Sequence, residues 1–360
     1  MAATKPFWAE GPIPPALLDT YFVGRTEEVA RLSNRWAQRA PARTVLLAPE
    51  RAGKRSLLAA TLRDTKGAVA PLHVRIDRLL PENGDGLAAA LLEALALRAP
   101  SPVLTRLERH LRHGPPERAA EVIRQLDGPL DGLDRRPLVL LEGAESLARL
   151  PPEVLAALDD LVGTTRAHFV ATMAHLPAGL QEAVPRLLGP AGVRVTRLTP
   201  LARREAQEYV RARLAAVRCQ PTAGALDLLL DYAGGDPASL QLLGARSHEV
   251  LLRSGRGRLQ EEDVGEGLYM ALESLPPDWT RILGELKGRS RDCFVALALL
   301  EDPTVSEVGE RIRLDAKNVS VILSRLVERG APVEKVARGR FRITHRLLAE
   351  WVRKEWQRVG

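Results

Sequence analysis

The sequence predicts an α/β protein: a parallel sheet in the part up to Pro200, a helical region after it, and a small helix-turn-helix unit at the C-terminus. Three observations carry this reading. Continuous apolar β-runs alternate with helical patterns as far as Pro200 and then stop. A Gly53-Lys54 pair follows the first of these runs and opens a helix. Near the end, two amphipathic helical stretches follow one another closely, ahead of two short β-runs.

Taken in order, residues 1–20 contain Pro6, Pro12, Pro14 and Pro15, whose fixed φ and missing N–H favour an extended path over the surface. Thr26 before Glu27 and Glu28 reads as the N-cap and acidic first turn of a helix with Val29, Leu32 and Trp36 on its apolar face. The first β-run, Thr44-Val45-Leu46-Leu47, precedes a helix from Lys54 to Arg63. Further β-runs are expected at Leu72–Ile76, Pro137–Leu141, His168–Met173 and Val193–Leu198. Helical patterns separate them near Leu87–Leu97, Val103–Leu126, broken at Gly114-Pro115-Pro116, and Glu153–Leu161. Runs apolar on both faces belong to a parallel sheet covered by helices on each side. Such sheets bind ligands at their carboxyl edge.

Beyond Pro200, helices are expected at Ala202–Val217, Thr222–Tyr232 and Pro237–Leu252, with Gly234-Gly235-Asp236-Pro237 as a break and restart. Pro276-Pro277 reads as a linker. Helices near Asp278–Leu286, Ser290–Leu300, Val305–Ile312 and Ala316–Arg329 then lead to β-runs Val333–Val336 and Arg340–Thr344 and a last helix from Arg346. The expected domains are an N-terminal extension (1–20), a core (21–200), a helical lid (201–275) and a C-terminal unit (276–360).

The stretch Ala48-Pro49-Glu50-Arg51-Ala52-Gly53-Lys54-Arg55-Ser56-Leu57 carries the chemistry. In the pattern G-x-x-x-x-G-K-[ST], glycines let backbone N–H groups curl around phosphates, the lysine reaches the β/γ oxygens, and the hydroxyl holds Mg²⁺. Here Ala48 takes the place of the first glycine and Arg55 that of the hydroxyl. Ser56 lies about 100° further round the helix and replaces that ligand only if the loop is distorted. A Gly-Lys pair is common by chance, but a strand before it and a helix after it favour a phosphate loop over an ordinary turn. Arg55 either sets a second positive charge beside the phosphates, partly replacing magnesium, or points to solvent.

The net charge is +7, and 17 Lys/Arg against 12 Asp/Glu from Asp278 onward place +5 of it in the last quarter. A basic C-terminal region suits nucleic acid, although arginine-rich surfaces are often only solvated. Cys219 and Cys293 are isolated, which argues against a disulfide framework or zinc ribbon and makes a reducing cytoplasm the default location. No apolar run reaches about 18 residues without a charge, so no membrane span is expected.

The order of motifs resembles the AAA+/STAND class of P-loop NTPases, most of all the archaeal-type ATPase family with a C-terminal winged helix, across nearly the whole chain. Phe22-Val23-Gly24-Arg25 is similar to that family's adenine-side box. Leu140-Leu141-Glu142-Gly143-Ala144-Glu145 looks like a Walker B region, Thr172 like sensor 1, and Gly234-Gly235-Asp236-Pro237 like the family's Gly-x-Pro adenine contact. The resemblance implies ATP or ADP held between sheet and lid, by Val23, Gly24, Arg25, Ala52, Gly53, Lys54, Arg55, Ser56, Leu57 and Pro237. It also implies Glu142, Glu145 and Thr172 on the γ-phosphate side, and Ser56 with Glu142 as the ligands of any Mg²⁺. Family members usually carry Asp-Glu where this chain has Glu142-Gly143, and glycine cannot polarise a water. An arginine expected before the fifth β-run is replaced by Leu188-Gly189-Pro190-Ala191, with Arg186 and Arg194 as substitutes or plain surface charges.

In the C-terminal unit, Val319, Ile322, Leu323 and Leu326 form the inner face of the second helix. Lys317, Asn318, Val321, Ser324 and Arg325 then face outward as a recognition helix would, with Arg338, Arg340 and Arg342 on the hairpin set for phosphates. Val321 and Glu328 weaken a DNA reading, and packing on protein is the rival. Three functions stay open: a regulatory or assembly protein that binds nucleotide and hydrolyses it weakly or not at all; an active ATPase motor using Ser56 and Glu145; and a nucleotide-free adaptor for DNA or protein. Self-assembly into an oligomer is an expectation of the resemblance.

Overall fold

The computed structural model describes residues 5–49, 51–65, 67–76, 84–114, 118–190, 192–274 and 283–359. The predicted linker Pro276-Pro277, the break at Pro115-Pro116, Glu50 of the phosphate loop and Ala191 lie outside the described residues. The chain forms two compact units: Arg25–Glu50 with Lys54–Thr199, and Met1–Gly24 with Arg51–Gly53 and Pro200–Gly360.

The first unit is built on five parallel strands, β1 (Arg43–Leu47), β2 (Val69–Arg75), β3 (Arg136–Glu142), β4 (His168–Met173) and β5 (Val193–Arg197). Their order across the sheet is β2-β3-β4-β1-β5. Helices α1 (Thr26–Trp36), α2 (Lys54–Asp64), α3 (Asp85–Ala96), α4 (Pro102–His113), α5 (Arg118–Arg124) and α6 (Pro152–Thr164) belong to it. β3 and β4 are the apolar centre: Leu138 to Leu141 and Phe169 to Ala171 are sealed from solvent, as strands covered on both faces must be. Because β1 pairs with β4 on one side and β5 on the other, the loop after β1 opens where the strand order reverses.

β5 departs from the expected covered strand. Its alternation Val-Arg-Val-Thr-Arg leaves Arg194, Val195 and Arg197 exposed on an edge. Thr26 is the first helical residue of α1, while the capping position belongs to Arg25, which sits in the left-handed region at φ 64° with no side-chain cap bond.

At the start of β4, the buried His168 ring joins two segments. Its Nδ1 accepts from the Ala42 backbone N–H (2.8 Å) and its Nε2 donates to the Trp36 carbonyl (3.0 Å). Burial, helped by the charges of Arg136 and Arg35, pulls the ring's pKa down to about 4.

The second unit is helical: α7 (Arg203–Ala216), α8 (Ala223–Ala233), α9 (Pro237–Ser254), α10 (Glu261–Glu273), α11 (Arg289–Leu299), α12 (Val305–Ile312), α13 (Ala316–Glu328) and α14 (Arg346–Val359). β6 (Val333–Ala337) and β7 (Arg340–Ile343) form an antiparallel hairpin after α13. One continuous apolar cluster runs from Leu214, Leu229 and Leu243 to Phe294, Leu323 and Leu348. Of the expected helix from Asp278, residues 278–282 lie outside the described residues and 283–285 are helical.

Three features of this unit correct the sequence reading. Helix α10 was absent from it, because Gly265 and Gly267 interrupt its apolar pattern; its start is fixed instead by Asp263, whose carboxylate accepts the Gln260 N–H (2.8 Å). Gly267 also lets α10 approach α9, since a Cβ there would lie 2.6 Å from the Ser247 backbone nitrogen. Two-residue segments Gln220–Pro221 and Arg258–Leu259 pair in parallel, too short to leave an apolar run. Finally, the N-terminal segment does not simply cross the surface. Phe7 is buried, edge-on to Tyr209, in a space that Gly244 leaves open on α9.

Candidate nucleotide site

The loop between β1 and α2 is the candidate phosphate loop. Left-handed φ occurs at alternate residues, Arg51 (66°) and Gly53 (87°), the kind of backbone from which a concave row of N–H groups is built. Arg51 adopts it without glycine's freedom, at a cost of about 1–2 kcal/mol, as Arg25, Arg218 and Arg313 do elsewhere in the chain. Lys54 opens α2, whose N-terminus adds a partial positive charge. The lysine Nζ donates to the carbonyls of Ala48 (2.6 Å) and Pro49 (2.9 Å) at the root of the loop. Ala52 and Leu57 are buried, so their backbone is what they offer a ligand.

Sheet register brings the next residues together. Glu142 at the end of β3 lies directly opposite Thr172 on β4, and Leu46 of β1 is Thr172's other neighbour. Both Glu142 and Thr172 are buried.

Arg55 lies partly in solvent, as one of its two expected courses had it, but its head group is engaged. Its Nε donates to Glu142 Oε2 at 2.5 Å, a charge-assisted bond across the place where hydroxyl and acid would share a metal. The ring of His73 stands 3.8 Å from the other carboxylate oxygen. Burial, the largest influence, pushes the Glu142 carboxyl up, but His73 and Arg55 together outweigh it and hold it below the usual carboxylate range. Ser56 is buried one step further round α2. Arginine offers a metal no lone pair, and here it occupies both the hydroxyl's position and an oxygen of the acid. The residues present therefore do not fit Mg²⁺.

Glu145 stands on a short 3-10 helix, Ala144–Arg149, that follows Gly143 in the left-handed region at φ 73°. Its Oε2 is enclosed and accepts no hydrogen bond among the described residues. Arg25, expected beside a base, is buried with its guanidinium on the Thr199 carbonyl (2.7 Å) and 3.5 Å from Glu28. Arg186 pairs with Asp160 (2.8 Å) on α6, and Arg194 is exposed on β5.

In the second unit, Val23 joins the apolar cluster, and a Cβ on Gly24 would press to 3.0 Å from Leu201. Gly53 groups by its contacts with this unit, where a Cβ on it would lie 3.8 Å from Pro237. Asp236 caps α9 by accepting from Ser239 N–H (2.7 Å), and its Oδ1 has no hydrogen-bond partner among the described residues.

Solved structures with a similar fold exist. The Walker-type ATPase PABY2304 of Pyrococcus abyssi superposes with a TM-score of 0.66 over 92% of this chain and 96% of its own, at 19% identity. The fold is that of an AAA+ P-loop NTPase. The Aeropyrum pernix ORC2 protein, solved as ADPNP–ADP complexes, gives 0.64 over 100% of this chain and 99% of its own at 15% identity. The Aeropyrum pernix ORC1 protein, solved in complex with DNA, gives 0.51 over 94% and 95% at 18% identity. No family model matches the chain, and no curated protein matches it in sequence. In this chain, Glu142 closes β3 and Thr172 lies opposite it near the end of β4. What the motif order could not show is that Arg55 closes on Glu142. Both residues were legible in the sequence, but their meeting depends on how α2 sits over β3.

The C-terminal helices place Lys317, Arg325 and Arg338 in the open, with no ion pair among the described residues. Other expected nucleic-acid contacts are engaged within the unit. Asn318 donates to Asp315, Arg340 to the Asp302 carbonyl (3.2 Å), and Arg342 pairs with Glu334 across the hairpin (2.5 Å). Ser324 is half-buried.

Proposed function

We propose that this chain is a nucleotide-binding AAA+/STAND-like regulatory or assembly protein that hydrolyses ATP weakly or not at all. Lys54, the α2 N-terminus and the backbone of Ala52, Gly53 and Ser56 hold the phosphates of ATP or ADP; Val23 and Pro237 flank the base. The C-terminal winged helix contacts DNA or a protein partner, and copies of the chain self-assemble. The observation that carries this reading is the ion pair of Arg55 with Glu142. It leaves the anion-binding half of the site intact and removes the metal-organising half. Phosphoryl transfer relies on positioning and charge neutralisation, and losing a positioned water or arginine costs about 10³–10⁵ in rate. Support for nucleotide comes from Lys54 at the start of α2 after Gly53 and from the fold's likeness to a protein solved with ADPNP and ADP.

One observation favours a second reading: the enclosed, unpartnered Oε2 of Glu145 is a carboxylate oxygen suited to orienting a water, and would make the chain a working ATPase. Calorimetric titration with ATP and ADP, followed by phosphate-release kinetics, decides between them. Micromolar binding that Lys54→Ala abolishes, with turnover at background, supports the first. Turnover near ~1 s⁻¹, inside the ordinary enzyme range, that falls in Glu145→Gln supports the second. Absence of binding defeats both.

A further inference from the structure

We infer that Arg55, bonded to Glu142 where the divalent cation would sit, excludes that cation, so that this chain binds adenine nucleotide without Mg²⁺. The inference rests on the nucleotide reading above and deepens it. In a hydroxyl-and-acid site, oxygen ligands hold a hard dication at about 2.0–2.1 Å in near-ideal octahedral geometry, and the dication neutralises the β and γ oxygens. Here the hydroxyl position carries a guanidinium, whose Nε meets Glu142 Oε2 at 2.5 Å. Glu142 is only 10% exposed at its side chain, so the acid is a poorly hydrated partner held in place by the parallel register with Thr172. The ring nitrogen Nδ1 of His73 stands 3.8 Å from its second oxygen. A dication at Glu142 Oε2 would have to displace a permanent cation already bonded there.

Arg55 spends one N–H on Glu142, and its terminal nitrogens make no other hydrogen bond among the described residues. Arginine's planar fork is suited to phosphate oxygens, and its charge does not depend on a metal supply. The ligand class is thus a nucleoside di- or triphosphate in its metal-free form.

The test is calorimetric titration of the full chain with ADP and with ATP, each in excess Mg²⁺ and in EDTA. The expected result is a dissociation constant in EDTA within about twofold of that in Mg²⁺, or tighter. Arg55→Ser, which restores the hydroxyl and frees Glu142, is expected to bind at least about tenfold more tightly in Mg²⁺ than in EDTA. Should that variant misfold, the wild-type comparison alone decides. Wild-type binding that appears only with Mg²⁺ overturns this inference and leaves the nucleotide reading standing. No binding in either buffer overturns both.

Discussion

Acidification should loosen the first unit through His168, and the size of the effect follows from its two hydrogen bonds. The buried ring accepts from Ala42 N–H at Nδ1 and donates to the Trp36 carbonyl at Nε2, an arrangement available only to the neutral form. A second proton would have to sit on Nδ1, facing a donor. The folded pKa is about 4 against 6.5 for a free histidine. Between these values the unfolded chain binds the extra proton, so stability rises with pH through that window and is lost as pH falls. The linkage amounts to about 2 kcal/mol between pH 7.5 and 5 and approaches about 3 kcal/mol at pH 4. Urea unfolding at pH 7.5 and pH 5 measures it, with His168→Asn as the control. Asparagine's oxygen keeps an acceptor for Ala42 and cannot titrate. The variant should be less stable at pH 7.5, by about 1–2 kcal/mol for the lost bond to Trp36. It should also lack that part of the pH dependence. Equal pH dependence in the two proteins would refute the argument, because carboxylates elsewhere titrate in both.

Phe7→Ala should destabilise the second unit by about 3–5 kcal/mol in thermal or urea unfolding, the usual cost of emptying an aromatic site. Gly244→Ala should also destabilise it despite alanine's better helix propensity, because the new methyl would stand 2.8 Å from the Phe7 ring. The sealed Asp263 binds Arg256 and caps α10, so Asp263→Ala should cost about 2 kcal/mol and speed amide exchange in the first turn of α10. If the C-terminal unit meets DNA, combined Lys317→Glu and Arg338→Glu substitutions should weaken binding to any duplex by about the same factor and flatten its salt dependence. Electrophoretic shifts at two salt concentrations read this, and unchanged slopes would point to protein as the partner.

Much of the fold is written locally. β4 spans the predicted His168–Met173 run unchanged, and α12 the predicted Val305–Ile312 pattern, since a buried strand and an amphipathic helix each carry their own period. The edge strand β5 and the glycine-bearing α10 were misjudged or missed where that period fails. The loop before α2 was visible as a strand, a Gly-Lys and a helix start, because that signal lies in contiguous residues. Phe7's burial was invisible, since a lone aromatic among prolines has no pattern and its partner Gly244 lies far along the chain.

The amino-acid sequence by itself determined the strand-loop-helix that presents Lys54 and the identities Arg55, Glu142 and Gly143 that depart from an ordinary metal site. Tertiary structure decided what those departures mean. Parallel register sets Glu142 beside Thr172, and the seating of α2 brings a guanidinium onto a carboxylate eighty-seven positions away in sequence. Charge pairing acts through space rather than along the chain, so two residues that look in sequence like separate losses become, once folded, one bonded unit.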